Sequence, residues 1–162
     1  MNFQCATQLD CDLSAIDDLH LFLREAIADT FGDGATIALT ERIVLAVHEA
    51  FTNIVRHGQD AGREQPIVVR CLATGGDDRA TRLTVELIDC GRAFDPIAAA
   101  LSRAGSSRGG VDWRGPPSSH NIGTTGGYGL SMIHSLASDL SYAREQGRNH
   151  LLLTFNNEGI SQ

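Results

Sequence analysis

Lysine is absent from this chain; all 13 basic side chains are arginines. That removes several chemistries at once. There is no Walker A lysine to reach a phosphate, no strand lysine of the eukaryotic-type protein kinases, and no amine for Schiff-base catalysis. Cysteine is scarce, with 4 in 162 residues, and no two stand as C-x-x-C. Cys5, Cys11, Cys71 and Cys90 therefore read as buried free thiols in a reducing cytosol, not as a disulfide framework or metal site. No apolar run approaches the length that crosses a bilayer, and Met1–Leu9 lacks the charged and apolar regions of a secretory signal. A cytoplasmic protein without membrane contact is expected. The net charge of −7 argues against direct nucleic-acid binding, which needs a basic patch.

What remains is ordinary for a globular protein: 42% hydrophobic and 20% charged residues. The length fits a single domain over 1–162 with a substantial core, and no internal repeat is visible.

The most informative stretch is Thr40–Gly58, TERIVLAVHEAFTNIVRHG. Thr40 reads as a helix N-cap, Glu41 suits the positive end of the helix dipole, and Gly58 stands where a left-handed C-cap is wanted. Ile43, Val47, Ala50 with Phe51, and Ile54 recur at three- and four-residue steps and form one apolar face. Glu49, Asn53 and His57 form a second stripe at four-residue steps. Spacing alone favours a solvated face over a site. A zinc-protease helix is excluded, because His48-Glu49 begins an H-E-x-x-H in which Thr52 replaces the second histidine.

Around this helix the chain reads in order. Asn2–Leu9 alternates as an edge strand. A helix follows, capped by Ser14 and carrying Ile16, Leu19, Leu23, Ala26–Ile27 and Phe31 at helical period up to Gly32. Beyond the loop Gln59–Gln65, Pro66 opens a β-branched strand, PIVVRCLA. The turn residues Thr74–Asp78 lead into Arg82–Asp89, where Leu83, Val85 and Leu87 point one way. Asp95-Pro96 starts a short helix through Leu101. Ser102 to about Gly126 is rich in Gly, Ser, Pro and Arg, as a lid or binding loop would be. Leu130–Ala137 is helical, and Leu140–Glu145 with His150–Asn156 form a closing hairpin around Gln146–Asn149. The pattern predicts an α+β fold, a two-layer α/β sandwich with an antiparallel-rich mixed sheet and helices on one face.

Two further motifs accompany the helix. Asp89-Cys90-Gly91-Arg92-Ala93-Phe94-Asp95 leaves a strand end, where a carboxylate can accept from an exocyclic amine and glycine lets a flat base approach. Gly126-Gly127-Tyr128-Gly129-Leu130 opens a helix, where free amides and the dipole attract an anion without lysine. A Rossmann turn needs a strand directly before the glycines, and a long polar segment stands there instead.

In this order and spacing the three motifs resemble the Bergerat-type (GHKL, histidine kinase-like) ATPase domain of gyrase, sensor histidine kinases and MutL. Glu49–Asn53 matches its N box, Asp89–Asp95 its first glycine box and Gly127–Leu130 its second. Within that superfamily the run Ala46-Val47-His48-Glu49-Ala50-Phe51-Thr52-Asn53 is most similar to the anti-sigma factor serine/threonine-protein kinases. The resemblance implies ATP and Mg²⁺ as cofactors, with Asn53 holding the metal and Glu49 as catalytic base. It implies that Asp89 reads the adenine, beside Gly91, Ala93 and Phe94. Gly127, Gly129 and Leu130 would cradle the phosphates beneath a lid at about 102–126. It also implies an anti-anti-sigma (STAS-type) substrate, sequestration of a sigma factor or other regulator, and a homodimer through the edge near Asn2–Leu9. Ala93 departs from the family pattern, which usually has a second glycine there. His57 is expected as a helix-end cation, Trp113, Arg103, Arg108 and Arg114 as loop residues. Thr154 is a candidate for a water-mediated adenine contact. None of the six histidines sits on a two-helix segment ahead of the fold, as a sensor histidine kinase requires.

Overall fold

A computed structural model describes residues 3–58, 65–75, 80–93, 95 and 128–157. Phe94, Gly127, the short helix after Asp95, the lid and Trp113 with Arg103, Arg108 and Arg114 lie outside the described residues.

Five strands form one sheet: β1 (Phe3–Leu9), β2 (Ile67–Gly75), β3 (Ala80–Asp89), β4 (Asp139–Glu145) and β5 (Arg148–Asn156). Their order is β1-β2-β3-β5-β4, and every neighbouring pair is antiparallel. Strand alternation sorts the side chains. Val69 and Cys71 of β2, Val85 and Leu87 of β3, and Leu153 and Phe155 of β5 are fully buried on one face. Against that face pack α1 (Ile16–Phe31) through Leu19, Leu23 and Ile27, and α2 (Ile37–Asn53) through Ile43, Val47 and Phe51. A shorter helix, α3 (Tyr128–Leu136), packs on α2 and buries Ile133. The other face is polar, with Glu86 3.4 Å from Arg70 and 2.8 Å from His150, and Thr84 bonded to Thr154 at 3.2 Å.

Three boundaries differ from the sequence reading, each for a local reason. The cap of α2 is Thr36, not Thr40. The Thr36 hydroxyl accepts from the Leu39 amide at 3.1 Å, and Thr40 sits one turn inside, donating to the Thr36 carbonyl. The added first turn presents Ile37 to solvent but buries Leu39, four positions ahead of Ile43 on the apolar face. Ser14 is likewise not a cap. Asp12 accepts its amide at 2.8 Å and opens a 3₁₀ turn, Leu13–Ala15, ahead of α1. Finally, Gln146 and Gly147 alone make the last turn, both at positive φ (49° and 80°), as a two-residue hairpin requires. Arg148 and Asn149 therefore belong to β5.

Gly32, at φ 51°, ends α1 where expected. The helix after Asn53 continues to Gly58 as a π turn, Ile54–Gly58, which departs from the α period on which the placement of His57 in the stripe rested. None of the four cysteines is in a disulfide, but only Cys71 is buried; Cys5 and Cys11 are partly exposed and Cys90 is exposed. No described helix is long and apolar enough to cross a membrane.

Candidate functional site

Two tethers orient the helices on the sheet. At the start of α2, Arg42 donates to the Asn156 carbonyl at 3.2 Å, and Asn157 donates to the Gly34 carbonyl at 3.2 Å. Just past α3, the Ser138 amide donates to the Thr154 carbonyl at 2.7 Å, and the Ser138 hydroxyl accepts from the Asn156 amide. The start of α2 and the end of α3 thus meet the sheet where β5 ends and β3 begins. Glu49 and Asn53 lie on the last turns of α2, and the sheet has a second end opposite these tethers. There β3 finishes at Asp89, and β5 begins beside it, Asp89 paired with Asn149.

Glu49 and Asn53 are half-buried, unlike a solvated stripe. The Asn53 side-chain nitrogen and the neighbouring Thr52 hydroxyl are buried without a hydrogen-bond partner among the described residues. Such groups call for a polar occupant. Gly129 and Leu130 lie in the first turn of α3, where helix geometry leaves the amides without intrahelical acceptors.

Asp89 is only 4% exposed, and it is held from two sides. Its Oδ1 accepts from the Gly91 amide at 2.8 Å, closing a tight turn that keeps Gly91 buried, and from Asn149 Nδ2 at 2.9 Å. Asn149 Nδ2 also donates to the Arg92 carbonyl at 2.8 Å, while Asn149 Oδ1 accepts from the Tyr142 hydroxyl at 2.8 Å and Arg144 Nη1 at 2.6 Å. Arg144 Nη1 donates in addition to the Gly91 carbonyl at 3.0 Å. The last hairpin thereby fastens the glycine-box loop. Ala93 is exposed and, among the described residues, Gln146 is the only non-glycine at positive φ, so alanine meets no backbone strain at position 93.

Sequence reasoning missed Asn149, because the two turn residues were read as four and the asparagine was assigned to the loop. An N-x-hydrophobic alternation from Asn149 through Leu151, Leu153 and Phe155 was the available signal. Thr154 is corrected by the same parity. It stands five positions, an odd step, beyond Asn149, so it lies on the helix-free face with Thr84, away from Asp89.

The antiparallel sheet with helices packed on one face is an α+β fold. Residues 24–155 match the family model described as the histidine kinase-like ATPase domain, and the chain belongs to that family. Membership of this ATPase family implies ATP binding. Among curated proteins the chain is similar to the serine/threonine-protein kinase BtrW of Bordetella bronchiseptica, 29% identical over 143 residues, 87% of this chain and 84% of that one. Among solved structures it is similar to the RsbU and RsbW domains of Rv1364c from Mycobacterium tuberculosis. That likeness has a TM-score of 0.58 at 22% identity, covering 95% of this chain and 32% of the other, and it speaks for the fold.

Proposed function

We propose that the chain is an ATP- and Mg²⁺-dependent serine/threonine-protein kinase of the anti-sigma, partner-switching kind. It phosphorylates a small anti-anti-sigma (STAS-type) protein and sequesters a sigma factor or another regulator when that antagonist is absent. The observation that carries this reading is the half-buried Glu49/Asn53 pair on the last turns of α2, where Asn53 Nδ2 is buried without a hydrogen-bond partner among the described residues. The similarity to a protein named as a serine/threonine kinase supports it.

In this reading Asp89 accepts from the adenine amine while Gly91, Ala93 and Phe94 border the base. The amides of Gly127, Gly129 and Leu130 receive the phosphates at the positive end of α3. The Asn53 carboxamide oxygen suits a hard cation, and its partnerless Nδ2 fits a site whose remaining acceptor is a phosphate. Mg²⁺, when bound, neutralises phosphate charge and aligns the triphosphate. Glu49 takes the proton of the substrate hydroxyl as that oxygen bonds the γ-phosphorus and ADP leaves. The segment 102–126 closes over the nucleotide and excludes water. No lysine is needed, since helix-end amides, one cation and a base suffice for a transfer that is mostly positioning.

The test is incubation with labelled ATP, Mg²⁺ and STAS-type proteins encoded nearby. Label on a partner hydroxyl, lost with Glu49→Ala, is the expected result. Absence of label across all candidates overturns the kinase assignment. Ala93 in the glycine box favours one alternative, an ATP-binding interaction module without transfer, in which ATP alters partner affinity but no label moves.

A further inference from the structure

We infer that Asn149 is a positioning residue for the base site, which fixes the Asp89 carboxylate so that Oδ2 alone is offered to the 6-amino group of a purine. The inference rests on the adenine reading of Asp89 and adds the device that sets its direction.

Asparagine is a poor strand residue, yet it stands here in β5 at 5% exposure. Its carboxamide is fully satisfied. Nδ2 donates to Asp89 Oδ1 and the Arg92 carbonyl, and Oδ1 accepts from Tyr142 and Arg144. The opposite amide orientation would set an oxygen against a carboxylate and a carbonyl, and an NH₂ against a guanidinium, so only one orientation is tenable. Tyr142 and Arg144 lie on β4, and Arg144 is the cross-strand partner of Asn149. The hairpin thus locks the amide, and the amide locks the acid.

Among the described residues, every hydrogen bond to Asp89 ends on Oδ1. With Oδ1 doubly occupied, rotation of the carboxylate would forfeit two buried bonds. Oδ2 is left as a single acceptor of fixed direction, which suits a donor such as a 6-amino group and repels a 6-oxo group. The same amide holds the Arg92 carbonyl, so the acid and the loop beside it move as one.

A purely structural role and a positioning role differ in one readout. Calorimetry on the whole chain with Mg²⁺ compares ATP with purine riboside triphosphate, which lacks the 6-amino group. Asn149→Ala should weaken ATP about tenfold and leave the analogue within about twofold. Equal weakening of both, or of neither, overturns the proposal. Should that variant fail to fold, Asn149→Asp replaces the N–H by a carboxyl that bonds Asp89 only while it keeps a proton. Its ATP affinity, divided by that of the unaltered chain in the same buffer, should be near one at about pH 5 and about tenfold lower at about pH 8. Parallel profiles overturn the proposal. Asp89→Asn separates the two levels: unchanged ATP affinity there defeats the adenine reading itself, whereas a loss there with intact Asn149 variants defeats only the positioning role.

Discussion

His20 of α1 and His48 of α2 face each other between the helices, with Nε2 of the first 3.0 Å from Nδ1 of the second and the rings tilted by 38°. One N–H fits between the two rings, so at most one of the facing nitrogens carries a proton. Partial burial, then His48, then Arg24 hold His20 below its ordinary 6.5, against the smaller opposite pull of Asp17 and Glu41. Between the lowered folded value and 6.5 the unfolded chain binds more protons, so stability rises with pH there. The contribution is complete above the unfolded value and is lost as pH falls toward the folded one. Melting curves across this window should show a drop on acidification that His20→Gln flattens; identical slopes for the two proteins would count against it.

Glu49→Ala should lower phosphotransfer by about 10²- to 10⁴-fold, the range for losing a general base. ATP affinity should stay within about threefold, since the base contacts the attacking hydroxyl and not the nucleotide. Single-turnover transfer and calorimetry, run side by side, check both halves.

Asp89→Asn should weaken ATP by about ten- to a hundredfold, the effect of about 1–3 kcal/mol for unpairing buried groups. The new amide would set an NH₂ against either the purine amine or Asn149. Unchanged binding enthalpy and affinity would take Asp89 out of the site.

Thiol accessibility offers a check of the architecture that needs no activity. Cys90 is exposed next to Asp89, whereas Cys71 is buried on β2 opposite Cys5, and burial followed by the neighbouring Cys5 pushes its thiol well up. Iodoacetamide should modify Cys90 in the folded protein and spare Cys71 until denaturant is added. Bound ATP should slow the labelling of Cys90. Mass mapping of the modified peptides decides it.

Gln146 holds φ 49° in the two-residue turn between β4 and β5. Asparagine tolerates this region better, and Asn-Gly is the preferred pair for such a hairpin. Gln146→Asn should therefore stabilise the chain by up to about 1 kcal/mol, read from denaturant midpoints at unchanged slope.

Much of this was written in the side-chain pattern, and the parts that were not have physical reasons. Leu83, Val85 and Leu87 announce β3 by alternation, and Leu19, Leu23 and Ile27 announce α1 by helical period, because burial imposes those repeats. The placement of Asp89 at a strand end and of Glu49 with Asn53 on one helix was legible because alternation and helical period fix those positions. Thr36, Asp12 and Asn149 were not. The first two precede turns whose leading apolar residues, Ile37 and Leu13, face solvent. Asn149 acquires its role only through strand register, which brings it beside Asp89 from far along the chain. Thr154 failed in the converse way: its type suited a nucleotide contact, but strand parity put it on the wrong face.

The pairing of β3 with β5 has a consequence for biosynthesis. Asp89 is made early, but the amide that steadies it arrives sixty positions later in translation. A nascent chain still short of that point has the acid and the α2 carboxamide but an unbraced base pocket. Under the proposed adenine role of Asp89, competence to hold ATP should therefore arise late, when the final strand slots between β3 and β4.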